Sequence, residues 1–365
     1  MHHIKEIITM LQGTNADAVL LQSEVQLIYA LGETAFEGKC LLFQDKTAAF
    51  FTDGRYIERA EALLIPKGFT VSVRPADMTE TAYLTQLLDA HQATTVLFED
   101  DYLTVRQYGH LKEALPQINW LPMGERLTQL RQRKSREEIA CVEKAQRIAE
   151  KALSDLLPAL HTGITEKEAA AKLDYLMSVY GSEQPSFQTI LLFGERASMP
   201  HGVPSERRLQ PGDVILMDFG AVYHGYHSDM TRTFAYGLAS DAFRKAYDAV
   251  LRAQSVAIAQ AKAGLPCKNM HEAAANTLAE AGLGQYFTHA LGHSVGLEIH
   301  ESPAASPRCE QALENGIIMT VEPGVYLPGR FGIRIEDMVV IHDDTPRNLT
   351  NFPKQLQILA ENTPS

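Results

Sequence analysis

Apolar positions in residues 1–132 follow two alternating rhythms. Short strand-like runs at 17–21, 46–51, 69–73 and 95–98 are separated by amphipathic, helix-length stretches such as 55–64 and 81–91. This alternation predicts an α/β domain. The charged segment 131–138 then marks a boundary, dividing the chain into domains 1–132 and 133–365.

Past the boundary the pattern changes and repeats itself. Ser135 with Glu138 forms a capping box that opens a helix, whose apolar positions Ile139, Val142, Ala145, Ala149, Leu153 and Leu156 keep helical spacing. Thr165 with Glu168 opens a second helix, stopped at Gly181, and strand-like runs follow over 187–234. The same order then returns: a helix over 241–264, another opened by the box Asn269 and Glu272 and ending near Gly282, and strand-like runs over 287–341. Two helices and several strands, twice over, predict an internally duplicated α+β domain. A pseudo-twofold axis would bring the late strands of both halves together.

Composition narrows the function classes. The net charge of −12 is shared, with 11 Lys+Arg against 17 Asp+Glu in residues 1–132 and 22 against 28 in the rest, so neither part offers nucleic acid a basic face. Cys40, Cys141, Cys267 and Cys309 are widely spaced, as expected of reduced thiols. No apolar run approaches the roughly 18 residues of a membrane span, and the opening stretch has no signal-peptide core. The expectation is a cytoplasmic protein with no membrane partner.

Charges embedded in apolar runs supply the candidate chemistry. Asp218 sits between Val214-Ile215-Leu216-Met217 and Phe219, and Glu336 follows Ile333-Arg334-Ile335. A lone buried carboxylate costs several kcal/mol or stays protonated. Asp218, Asp229, Glu322 and Glu336 together with His293 are neutralised most simply by two divalent cations. Asp218 and Asp229 flank 223–226, a hairpin turn; an even, two-residue His224-Gly225 loop puts both carboxylates on one face. The competing reading is a strand cap at Asp229 and a satisfied buried acid at Asp218.

Three of the 13 histidines, His289, His293 and His300, fall within 12 residues. The i,i+4 spacing of the first two suits a helical zinc pair. Gly292, Val295, Gly296 and Ile299 argue instead for extended chain, in which His289 and His293 share a face and His300 needs a bend or bulge to rejoin them. A lone histidine there would ordinarily be structural. Pro323 holds Glu322 extended and Gly324 permits a turn. Arg334 and Glu336, two apart on a strand, face the same way, so Arg334 can orient a metal-binding carboxylate; a buried ion pair is the alternative.

The runs Leu216-Met217-Asp218, Ser228-Asp229-Met230-Thr231-Arg232-Thr233-Phe234, Gly292-His293-Ser294-Val295-Gly296-Leu297-Glu298-Ile299-His300-Glu301, Val321-Glu322-Pro323-Gly324 and Gly332-Ile333-Arg334-Ile335-Glu336-Asp337 resemble the motifs of the pita-bread metallopeptidases, nearest Xaa-Pro dipeptidase (prolidase) and aminopeptidase P. Phe51-Thr52-Asp53-Gly54-Arg55-Tyr56 and Lys134-Ser135-Arg136-Glu137-Glu138-Ile139 resemble the creatinase-like amino-terminal domain and its junction. Ser294 departs from the glycine that often follows the metal-binding histidine.

The resemblance implies two divalent metal ions, with Asp218 on one, Asp229 and Glu336 bridging, and His293 with Glu322 on the other. Mn²⁺ is expected, and hard oxygen ligands with one imidazole also admit Co²⁺, Zn²⁺ or Fe²⁺. It further implies that His201, His289 and His300 contact substrate, that Glu322 moves the proton, and that the chain is a homodimer cleaving short Xaa-Pro peptides with a free amino terminus. Aminopeptidase P action on longer peptides, creatinase-like hydrolysis and a catalytically silent binding fold are the other readings.

Overall fold

Serine and threonine hydroxyls start the long helices. In the computed structural model, which describes residues 3–34 and 36–362, Ser135 and Thr165 each accept from the backbone N–H three residues on, while Glu138 and Glu168 reach back, completing both expected boxes. The box expected at Asn269 and Glu272 does not form. The helix there is Lys268–Glu280, headed by Cys267 without a side-chain cap; Asn269 lies inside its first turn, and the Asn269 N–H that the box needs is bonded to the Pro266 carbonyl, while the N–H groups of Cys267 and Lys268 are bonded to the carbonyls of Gln311 and Cys309. A distant segment, not a local side chain, sets this helix start.

Contacts separate two compact units, residues 1–131 and 132–365. The first is built on a six-stranded sheet of β1 (Ala18–Leu21), β2 (Lys39–Phe43), β3 (Ala48–Thr52), β4 (Phe69–Val73), β5 (Thr95–Phe98) and β6 (Asn119–Pro122), ordered β4-β3-β2-β1-β5-β6. Four of these strands match the expected runs; β2 and β6 were not expected. The sheet is mixed, β1 running parallel to β5 and antiparallel to β2. Strands β1 and β3 are buried throughout and β2 at every position but Lys39, as strands covered on both faces are.

The second unit carries the duplication. Helices Arg136–Leu156 and Glu166–Val179 precede β7 (Ile190–Phe193), β8 (Val214–Phe219), β9 (Val222–Tyr223), β10 (Tyr226–His227) and β11 (Met230–Tyr236). Helices Asp241–Ala259 and Lys268–Glu280 precede β12 (Gly292–Ser294), β13 (Glu301–Ala305), β14 (Ile318–Val321), β15 (Gly324–Leu327), β16 (Phe331–Arg334), β17 (Asp337–Val340), β18 (Arg347–Asn348) and β19 (Ile358–Leu359). The larger sheets are ordered β19-β11-β8-β7 and β13-β12-β14-β17-β18. No helix among the described residues is long and apolar enough to cross a membrane.

The pleat of β8 aims the chemistry. Ile215, Met217 and Phe219 join the core under the first helix pair, whereas Val214 and Leu216 join the core of the second half. Asp218 shares the parity of the latter pair and therefore points toward the second half.

Candidate metal centre

A two-residue turn sets the register of the first two carboxylates. His224 and Gly225 both have positive φ, 50° and 75°, as a type I′ turn requires. Tyr223 then pairs with Tyr226, and Thr231 with Asp218, so Asp229 lies diagonally across from Asp218 on the same face. Gly220 makes the crossing possible: a Cβ there would stand 1.8 Å from the Ser228 carbonyl oxygen.

The second half closes on this face through Thr231. The backbone N–H of Glu336 donates to the Thr231 carbonyl at 3.1 Å. The Thr231 hydroxyl donates to Glu336 Oε2 at 2.7 Å and accepts from Arg334 Nε at 3.0 Å. Arg334 ends β16 and Glu336 falls in the break before β17, not on one strand with it, yet both side chains reach the same hydroxyl. Arg334 also bonds Asp218 Oδ2 at 2.5 Å and the Tyr326 hydroxyl at 2.6 Å.

These bonds leave a defined remainder. One ligand oxygen from each of Asp218, Asp229 and Glu336 lies within 4.8 Å of the others. Asp218 Oδ1, Asp229 Oδ1 and Glu336 Oε1 are buried and accept nothing from the described residues. Burial first, then the Glu336 and Asp218 charges, pushes the Asp229 carboxyl well above its ordinary range; burial, then Glu322 and Asp218, does the same to Glu336. Glu322, between β14 and β15, is pushed up to about 8 by burial, with Arg334 opposing. Carboxyl oxygens this buried and unpaired, in groups this close, suit cations, which would hold them ionised.

His293 completes the cluster from β12. Its Nδ1 lies 3.1 Å from its neighbour Ser294's carbonyl and donates there, which leaves a lone pair on Nε2. That nitrogen sits 3.6 Å from Asp229 Oδ2 and 3.5 Å from Glu322 Oε1. Burial lowers the imidazole to about 4, so it is neutral at pH 7 and these contacts are not ion pairs. A neutral imidazole facing carboxylates across such gaps has the donor set a divalent metal takes.

The other histidines are placed as the extended reading requires. His289 precedes β12 and is no helical partner of His293. His300 returns through a bend and a register shift at His293/Ser294, its ring 4.4 Å from that of His293. His201, His289, His293, His300, Asp218, Asp229, Glu322 and Arg334 all line one cavity of about 470 Å³; Glu336 is not among its lining residues. Phe187, Ile190, Val203 and Ile299 give that cavity an apolar wall.

Tyr326, Thr231 and Thr320 hold the site together, and sequence reasoning missed all three. The Nδ1 of His289 donates to the Ala290 carbonyl at 2.7 Å, so the Tyr326 hydroxyl, 3.0 Å from Nε2, donates to that ring while accepting from Arg334. Thr320 donates to Glu322 Oε1 at 3.1 Å and accepts from the His293 N–H.

A duplicated α+β unit whose halves meet at clustered carboxylates and an imidazole has the pita-bread architecture. The chain belongs to metallopeptidase family M24, which matches residues 140–343, with a Creatinase/Prolidase N-terminal domain matching residues 3–133. It is similar to an Xaa-Pro dipeptidase of Pyrococcus horikoshii, 33% identical over 356 residues covering 97% of this chain and 98% of the relative. Among solved structures, the Xaa-Pro dipeptidase from Bacillus anthracis superposes with a TM-score of 0.92 at 34% identity, covering 98% of this chain and 100% of its own. An X-Pro aminopeptidase from Thermotoga maritima gives 0.90 at 32% identity, with coverage of 98% and 100%. The resemblance and fold class expected from sequence are borne out.

Proposed function

We propose that this chain is a prolidase-like dipeptidase holding two divalent cations, Mn²⁺ first among them. The observation that carries the metal reading is the trio Asp218, Asp229 and Glu336: one ligand oxygen of each lies within 4.8 Å of the others, and each carboxyl keeps a buried oxygen with no partner among the described residues. Asp218, Asp229 and Glu336 would hold one ion and Asp229, Glu336, His293 and Glu322 the other. Relatives named Xaa-Pro dipeptidase support the choice of substrate.

When bound, such cations supply Lewis acidity to an attacked carbonyl and acidify water enough to give a nucleophile at neutral pH. The side chains do the rest. Arg334 holds Asp218 in place, and Thr231 holds Glu336. His201 and His300 offer N–H groups to the developing oxyanion or the leaving nitrogen, and Glu322 accepts the proton that the attacking water loses and passes it to that nitrogen. The wall of Phe187, Ile190, Val203 and Ile299 suits a proline ring, and the cavity volume suits a short peptide. Recognition of a free α-amino group belongs to the same proposal, on the strength of the family resemblance. A homodimer, on the strength of the family resemblance, and a cytoplasmic location, on that of the widely spaced cysteines, are part of the same proposal.

Assay of Ala-Pro, Ala-Ala and N-acetyl-Ala-Pro with Mn²⁺, and after chelation, tests this reading. Ala-Pro should be preferred and the acetylated peptide refused. Equal kcat/KM for Ala-Ala removes the proline assignment, and undiminished rates in metal-free protein remove the cations. The likeness to an X-Pro aminopeptidase keeps longer substrates as a second reading; Ala-Pro against Ala-Pro-Ala separates the two.

A further inference from the structure

Outside the metal cluster, the most heavily bonded buried carboxylate that the mechanism leaves unused is Glu166. It opens the helix Glu166–Val179, yet its side chain is 0% exposed and points into the protein. Oε1 accepts from the Phe193 backbone N–H at 2.9 Å. Oε2 accepts from the Ser205 backbone N–H at 2.8 Å and the Ser205 hydroxyl at 2.7 Å. Arg196 Nε reaches both oxygens, at 3.1 and 3.0 Å, while its Nη2 donates to the Val203 carbonyl at 2.8 Å.

These partners enclose one segment. Phe193 precedes it and Ser205 follows it; between them Pro200, His201, Gly202 and Val203 form one side of the catalytic cavity. Inside the segment the chain is folded tightly on itself, with Met199 N–H on the Arg196 carbonyl and Gly202 N–H on the Met199 carbonyl. It is also seated against the strand that carries Arg334, because a Cβ at Gly332 would stand 1.9 Å from the Ala197 carbonyl oxygen. His201 itself is exposed on the cavity wall, and among the described residues no hydrogen bond to its imidazole fixes its place.

We propose that Glu166, with Arg196, is the positioning device for His201, drawing both ends of the 193–205 segment to one carboxylate so that the imidazole stands at a fixed distance from the metal cluster. This rests on the reading of His201 as a substrate contact. A charged acceptor suits that role. Two backbone N–H groups, a hydroxyl and a guanidinium converge on it, and charge-assisted bonds are shorter and about twice as strong as neutral ones. Glutamine at this position would offer one acceptor oxygen and two N–H groups, so at least one of the two segment ends would be released.

The experiment is a double-mutant cycle on Ala-Pro hydrolysis in the metal-loaded full chain, using Glu166→Gln, His201→Ala and both together. Bound metal and Tm are measured on each variant. The expectation for Glu166→Gln is unchanged metal content and a kcat/KM lowered between about 10- and 100-fold, the range a small displacement of a working group produces. The double variant should be no slower than His201→Ala alone. Arg196→Met, at a partly exposed side chain, is the second arm if Glu166→Gln does not fold, and it should show the same non-additivity with His201→Ala. Multiplying losses in the cycle, or a Glu166→Gln enzyme as fast as the parent, overturn the positioning role while leaving the peptidase reading intact. A His201→Ala enzyme at the parent rate overturns the His201 assignment and the proposal with it.

Discussion

At the residue scale, burial and hydrogen bonding separate ligands from pocket groups. Glu336 is 1% exposed and has one oxygen with no partner among the described residues; Glu336→Ala should lose bound metal and all activity. His300 lies over His293 from the exposed side, so His300→Ala should keep its metal and lower kcat by about 100-fold or more if it stabilises transition-state charge. Metal analysis of both variants decides, and a His300→Ala protein stripped of metal would place that ring among the ligands. The ligands were legible because a charge inside an apolar run stands out. Thr231, Thr320 and Tyr326 were not, since a hydroxyl in a strand is ordinary and only the folded chain shows which carboxylate or guanidinium it meets. Glu166 was hidden for another reason: an acid in a helix's first turn is what the helix dipole favours anyway.

At the element scale, the hairpin was readable and its crossing point was not. The His224-Gly225 turn and the even loop length predicted that Asp218 and Asp229 share a face, and the register has that parity. Gly220 gave no signal, because its φ is unremarkable and its need for a bare Cα comes from Ser228 eight residues on. Gly220→Ala should therefore push β8 from β11 near both aspartates. Overpacking of this kind costs about 1–3 kcal/mol, and metal retention should fall with it. A Gly220→Ala protein with parental Tm and metal content would show that the crossing can relax. The same contrast explains the helix start at Lys268 and the strands β2 and β6. Long-range backbone pairing put them where they are, and periodicity in one segment does not report its distant partner.

At the scale of the whole molecule, the duplication makes the site a junction that repels itself until cations arrive. Each half brings carboxylates to the junction, and the Glu336 N–H to Thr231 carbonyl bond holds the halves in contact there. In the chelated protein Asp229, Glu322 and Glu336 keep carboxyls raised chiefly by burial, Glu322 to about 8. A raised carboxyl holds a proton in the folded state that the unfolded chain has released. Its stabilising effect is complete below the unfolded value and is lost as pH climbs through the folded one. His289 and His293 act in the opposite sense: burial lowers both to about 4, so their contribution grows with pH and is complete above their ordinary value of 6.5. Between about pH 7 and 8 the carboxylates alone remain in play, and the Tm of chelated protein should fall as pH rises. Divalent cations compensate the same charges. At 100 times its Kd one ion adds about 2.7 kcal/mol, or roughly 5–10 °C for a unit of this size, and the gain should widen toward pH 8. Asp229→Asn removes one titrating carboxyl from the junction; the Tm of its chelated form should fall less steeply with pH than that of the chelated parent, and it should gain little from Mn²⁺. Melting curves at pH 7.0, 7.5 and 8.0, with chelator and with Mn²⁺, measure all of this together. A chelated parent whose Tm holds steady or rises across that window would mean that the carboxylates are compensated from within the protein, and the case for two cations would lose its physical basis.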